Sequence, residues 1–216
     1  MKQRVAIAIL LSWIALALLE PLLPISPNDI DLPAILAAPS ADYWLGSDAL
    51  GRSVAERLLA GARIAFVVSF ATVLLSAFIG TLIGAASGYF GGIADHLLSR
   101  VIDIMLAFPG ILLAIALAAI LGPGIDNLVI AISSVGWVGY ARLARSQAMT
   151  LRSRDHITAA VALGSGTGRI VLRHLLPLMT APLLVEASFG LAAVIVAEAG
   201  LSFLGLGVQP PQASWG

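Results

Sequence analysis

"RLARSQAMTLRSRDHITAAVALGSGTGRIVLRHLLP", residues 142–177, is a basic island in an otherwise oily chain. It holds six of the twelve basic residues: Arg142, Arg145, Arg152, Arg154, Arg169 and Arg173. Between those arginines runs "ITAAVALGSGTG", Ile157 to Gly168, where Ala159, Ala160 and Ala162 carry almost no side-chain bulk. Alanine favours helix, so a short helix ending near Gly164 is expected. Alone it would be too short to persist. Held between apolar segments it has the form of a docking knob, smooth enough for another protein's surface to come close.

The rest of the composition says what holds that knob. Of 216 residues, 59% are hydrophobic and 11% charged, against about 25% charged in a soluble domain. The chain therefore reads as an all-α membrane protein. Its net charge is zero, which argues against nucleic acid as a partner. It has no cysteine, so disulfides and thiolate metal sites are excluded. His96, His156 and His174 fall in polar segments, leaving no expected metal cluster or serine–histidine hydrolase site at membrane depth. The glycines from Gly164 to Gly168 are followed by no Lys-Ser or Lys-Thr and preceded by no strand, so they are not a phosphate loop. The chain is expected to be no enzyme and to bind no cofactor or ATP itself.

Outward from the island, five apolar spans are expected. Val5 to Leu23 is the first, long enough to cross a bilayer; the rival is a cleaved signal peptide, but no small-x-small site follows the run. Pro24 to Glu56 is a polar, proline-rich break. Ile64 to Ser87 is the second span, with Ser76, Gly80, Gly84 and Gly88 on one stripe, the pattern that lets helices touch backbone to backbone in lipid. Val101 to Leu121 is the third, kinked at Pro109-Gly110; its Asp103 is expected to pair with Arg100 or meet water. Gly122 to Asn127 reads as a tight turn, and Leu128 to Tyr140 opens the fourth span. Leu178 to Phe203 is the fifth and contains Glu186 and Glu198. Carboxylates within a span are functional candidates by default, so both stand as candidates for a translocation path. Glu186 is expected to point into the bundle and Glu198 to face water or the path near the outer end.

This topology puts Lys2, Arg4, Arg100, Arg142, Arg145, Arg152, Arg154, Arg169 and Arg173 on one side, and Arg52, Arg57 and Arg63 on the other. The excess of basic residues marks the cytoplasmic side, which is expected to hold the N-terminus.

The island also carries a spacing. Thr158-Ala159-Ala160, three residues, Gly164, nine residues, His174, one residue, then Leu176-Pro177 resembles the EAA loop of the membrane subunits of ATP-binding-cassette importers. Thr158 stands where that family has Glu, and His174 where it commonly has Ile. "WLGSDALGRSVAERLLAGAR", residues 44–63, is similar to the Leu-Gly-Thr-Asp-x-x-Gly-Arg-Asp segment of the dipeptide, oligopeptide and nickel branch, with Ser47 for Thr and Ser53 for the second Asp. A plainer reading makes Asp48 and Gly51 a turn before a helix. "EAGLSFLGLGVQPPQASWG", residues 198–216, resembles the same branch.

The resemblance implies a polytopic helical bundle of the type I importer permease class, with a sixth span expected beyond residue 216. It implies an anchor span over 1–23, an extracytoplasmic segment over 24–60, and a transmembrane domain over 61–216 with a coupling loop at 142–177. It implies ATPase coupling through Thr158, Ala159, Ala160, Gly164, Leu176 and Pro177, in a bacterial cytoplasmic membrane. The implied partners are a second permease subunit, two ATPase subunits holding ATP-Mg, a substrate-binding protein outside, and membrane lipid. The implied cargo is a peptide or nickel-type substrate. An ATPase-independent channel or ion-coupled carrier is the alternative; it would explain the spans and acids but not the knob.

Overall fold

A computed structural model describes residues 2–215, without the side chains of Lys2, Gln3 and Ala6. Met1 and Gly216, which bound the expected segments, and the Lys2 charge used for orientation lie outside the described residues. Eight α-helices follow one another among the described residues: α1 Lys2–Leu19, α2 Val54–Phe90, α3 Gly92–Ala107, α4 Gly110–Leu121, α5 Ile125–Leu151, α6 Asp155–Ala162, α7 Thr167–Arg169 and α8 Leu176–Phe203. A π-helical turn, Ile170–Leu175, joins α7 to α8, so Thr167–Phe203 is one apolar helical run. An isolated bridge between Ser47 and Ser53 is the only β pairing among the described residues. The chain is an all-α membrane protein.

Three of the five expected spans stand as single helices long and apolar enough to cross a membrane: α2, α5 and the run ending in α8. The third expected span is broken rather than kinked. Phe108 takes an extended conformation ahead of Pro109, as a residue before proline prefers, and α4 restarts from Pro109. The two halves meet at 86°, so they make either one broken span or a re-entrant pair. At the start of the chain the apolar stretch among the described residues is Ile7–Leu22, shorter than the three single helices.

The second span begins earlier than expected. Asp48 Oδ1 accepts from the backbone N–H of Leu50 at 2.9 Å and of Arg52 at 3.0 Å. Gly51 sits at φ +76°, where an added Cβ would meet the Asp31 carbonyl. Ser53 then caps α2, its hydroxyl accepting from the Glu56 N–H at 3.4 Å. The turn before a helix that the plainer reading of this segment expected is thus present. The expected division between residues 60 and 61 falls inside the continuous helix α2. With 37 residues, α2 is about 55 Å long by helical rise and outreaches a hydrocarbon core of about 30 Å.

The core of the bundle is the contact of α2 with α5, the most extensive between any two helices. The two run parallel, and α3 with α4 carries the chain back between them. A Cβ on Gly80 would strike the Trp137 carbonyl; on Gly84, that of Ala141; on Gly88, that of Arg145. The glycine stripe therefore lies directly on the backbone of α5, rung by rung. Helix α8 packs antiparallel across this pair, with Val194 and Leu201 buried against Val68, Leu128 and Tyr140. The tail after α8 folds back over the start of α2. Trp215 Nε1 donates to the Leu58 carbonyl at 3.0 Å and its ring stacks on Trp13 at 6.1 Å.

Two outcomes are expected. Gly84→Leu forces bulk into the α2–α5 contact and costs at least about 1–3 kcal/mol by overpacking. Gly168→Ala, which meets nothing within 4 Å, leaves stability unchanged; thermal size-exclusion profiles in detergent compare the two. The second concerns Asp48. Burial works against its charge, but the Arg52 side chain and the N–H groups of Leu50 and Arg52 win, bringing it from 3.8 down to about 2. A depressed carboxylate stabilises the fold above its unfolded value, and that contribution is lost as pH falls from 3.8 through about 2. Pepsin cleavage within residues 24–53 is expected to rise steeply across that window. Asp48→Asn should be cut already above it.

Candidate functional site

Two places carry the residues singled out from the sequence. The first is the knob. Helix α6 spans Asp155–Ala162 and ends as expected: Leu163 closes it and Gly164 follows at φ +81°, the left-handed conformation that glycine supplies at a helix end. The irregular part of the expected loop is shorter than 142–177, because α5 carries Arg142 and Arg145 and extends to Leu151. One face of α6 is buried. Ile157 and Ala160 are covered, Ile157 in a cluster with Leu151, Ile170, Val171 and Leu175. Thr158, Ala159, Ala162 and Gly164 lie on the exposed side, with Val161 and, at the tip, Leu163, which is 87% exposed. Ala160 is thus not on the outward surface where the sequence placed it; helical periodicity turns it inward with Ile157.

The knob is tied to three longer elements. The same cluster takes in Ala144 and Ala148 of α5, Ala85 of α2 and Met179 of α8. Arg152 Nη1 donates to the Gly88 carbonyl at 3.2 Å and to that of Tyr89 at 3.4 Å, so a cation closes the C-terminal end of α2. Arg145 grips Asp95 of α3 with two hydrogen bonds, Nη2 to Oδ2 at 2.8 Å and Nε to Oδ1. This pair was missed in the sequence. Asp103, expected to pair with Arg100 or meet water, is exposed and forms no ion pair among the described residues. Leu176 and Pro177 begin α8. Proline offers no N–H to the helical ladder, and the π turn just before it, where the Leu176 N–H reaches back to the Val171 carbonyl, is where the ladder is already re-registered.

The second place is a cavity of about 570 Å³ between α2, α4, α5 and α8. Its walls are mostly apolar, with Ile111, Ala114 and Val135 among them, but Thr72, Ser76, Tyr140 and Glu186 also line it. Glu186 therefore points into the bundle as expected. Glu198 does not share the cavity. It is 1% exposed, and its Oε1 accepts from the hydroxyls of Ser202 at 2.9 Å and Ser214 at 2.6 Å. It fastens the tail and does not face water, while its Oε2 is buried with no hydrogen-bond partner among the described residues. Ser202 lies one turn along the same helix, but Ser214 lies beyond it and reaches Glu198 only once the tail folds back.

Residues 80–216 match the family described as "Binding-protein-dependent transport system inner membrane component". The chain is 44% identical over 213 residues to the dipeptide transport system permease protein of Alkalihalophilus pseudofirmus, covering 98% of this chain and 70% of that one. It is 43% identical over 194 residues to a putative peptide permease protein of Brucella ovis, covering 90% of this chain and 64% of the relative. It is 38% identical over 221 residues to the glutathione transport system permease protein of Pectobacterium atrosepticum, covering 100% and 73%. The chain thus spans roughly two thirds to three quarters of the relatives it matches.

Proposed function

The chain belongs to the binding-protein-dependent transport system inner membrane components, and from that premise we propose that it is a permease subunit of an ATP-driven importer. With a second permease subunit it forms the path for a substrate delivered by an extracytoplasmic binding protein. Two ATPase subunits, which hold the ATP-Mg, dock on α6. The printed names of the relatives are peptide, dipeptide and glutathione permeases, which favours a peptide over nickel as cargo.

The observation that carries this reading is the shape of α6. It presents small and apolar residues, ending in Leu163 at 87% exposure, while Ile157 and Ala160 anchor it from below. A channel that works alone has no use for an apolar tip set among arginines. Thr158 takes part through its exposed position; its hydroxyl bonds back to the Arg154 carbonyl at 3.4 Å, so it offers a partner little more than contact. The basic residues around α6 favour a cytoplasmic position for this end, and with it an N-terminus on the same side and residues 24–53 outside.

The route of force follows from packing. A push on α6 reaches the end of α5 through Leu151 and the start of α8 through Ile170, Val171 and Leu175, all in one buried cluster. Densely packed side chains move together rather than deform. The π turn before Pro177 is the weakest stretch of that ladder and so the natural hinge between knob and α8. Tilting α8 against the rigid α2–α5 pair opens and closes the cavity between them, as alternating access requires.

Leu163→Arg and Ala159→Trp are expected to weaken ATPase association about thirtyfold, a hot-spot cost of about 2 kcal/mol. Both should still insert normally, and both should abolish uptake. Ala160→Trp should instead lower the folded yield, because Ala160 is buried. Co-purification of the ATPases with each variant decides it: unchanged association of Leu163→Arg at wild-type expression refutes docking on α6.

A further inference from the structure

The cavity between α2, α4, α5 and α8 contains more polarity than packing needs. The hydroxyls of Thr72, Ser76 and Tyr140 are buried with no hydrogen-bond partner among the described residues. Their residues are 1%, 2% and 4% exposed. A buried hydroxyl left unsatisfied is costly, yet three of them line this one cavity, two from α2 and one from α5. Glu186 joins them, a half-buried carboxylate with no ion pair among the described residues.

The backbone makes room for these groups. An added Cβ on Gly139 of α5 would lie 2.8 Å from Glu186 Oε1. One on Gly190 of α8 would lie 2.7 Å from the Tyr140 hydroxyl. Each helix thus offers a glycine where the polar tip of the other arrives. A larger residue at either place would push carboxylate or phenol aside.

We propose that Glu186, Tyr140, Thr72 and Ser76 form an intramembrane receptor for a protonated primary amine carried on a small apolar body. An ammonium group has three N–H donors and no acceptor. It can give one to the Glu186 carboxylate, one to the Tyr140 oxygen and one to a hydroxyl of α2. A single carboxylate matches a single positive charge. A metal ion is the poorer fit: among the described residues no three acidic, histidine or cysteine groups come together. The cavity's size suits a molecule of the order of a dipeptide, and its Ile111, Ala114 and Val135 walls suit an apolar side chain. The inference rests on the reading of this cavity as part of a permease path and names what that path holds.

The test uses the chain in the complex it purifies with, in phosphatidylcholine nanodiscs. A hydrophobic carbodiimide labels accessible carboxylates in a span, and peptide mass mapping reads Glu186 separately from Asp103, an exposed carboxylate away from the cavity that serves as internal reference. Alanyl-phenylalanine is expected to slow labelling of Glu186 and not of Asp103, while its N-acetyl derivative, lacking the charge, slows neither. Tyr140→Phe removes one charged hydrogen bond, about 1.5–3 kcal/mol. It should therefore raise the protecting concentration at least about tenfold. Phosphatidylethanolamine bears the same ammonium group, so nanodiscs containing it show whether lipid alone protects. Protection by lipid assigns the site to a headgroup, and protection by dipeptide in phosphatidylcholine assigns it to a soluble ligand. Equal protection by the free and acetylated dipeptides, or protection by sodium chloride alone, overturns the proposal. If nothing protects Glu186 while the ATPases still co-purify, the amine site fails and the importer reading stands.

Discussion

The fold depends on one close approach. Where Gly80, Gly84 and Gly88 meet the carbonyls of Trp137, Ala141 and Arg145, two parallel helices touch without side chains between them. In lipid there is no hydrophobic gain in bringing apolar helices together, so close backbone contact and dispersion must do it. Parallel neighbours need a crossover, and here that crossover is α3 with α4, broken at Pro109. The break lets a short helix lie across the bundle and line the cavity, which an unbroken span could not do at the same angle. A stiff pair, an angled crossover and an antiparallel α8 then leave a gap where their faces diverge, and that gap is the cavity.

In the proposed coupling, the same pair gives the knob something to push against. Small α6 would not hold its shape alone, but Ile157 is set in a cluster contributed by α2, α5, the π turn and α8. Arg152 ties this end to α2 and Arg145 ties it to α3. These bonds join elements far apart in sequence, so a load on the tip is spread over the whole end of the bundle. The entry to α8 differs, with a π turn ending at Leu175 and a proline at position 177.

Much of this was legible in the sequence, for physical reasons. The glycine stripe shows as a spacing because helical geometry maps a spacing of four onto one face. The helix ending near Gly164 shows because alanines and a left-handed glycine each have one strong preference. The early start of α2 is a weaker signal, since its first turns are polar and only the Ser53 cap marks them. The sharpness of the break at Pro109 was not legible: a proline removes one hydrogen bond, and neighbours decide whether the helix bends or stops. The Arg145–Asp95 pair was hidden for a similar reason, as was the inward turn of Ala160, which is fixed by the angle at which α6 docks.

The two glutamates of α8 show how much context decides. Both sit in one apolar helix, and both stood as path candidates by their charge alone. Glu198 accepts two serine hydroxyls at Oε1 and is closed off by the returning tail, with its Oε2 buried and unpartnered among the described residues. Glu186 has a glycine opposite it, three unsatisfied hydroxyls around the same cavity and no cation of its own. Glu198 is bound into the tail, whereas Glu186 stands beside open hydroxyls in a space that two glycines keep clear. That difference of surroundings, rather than depth of burial, is what makes Glu186 the acid on which the proposed amine site rests.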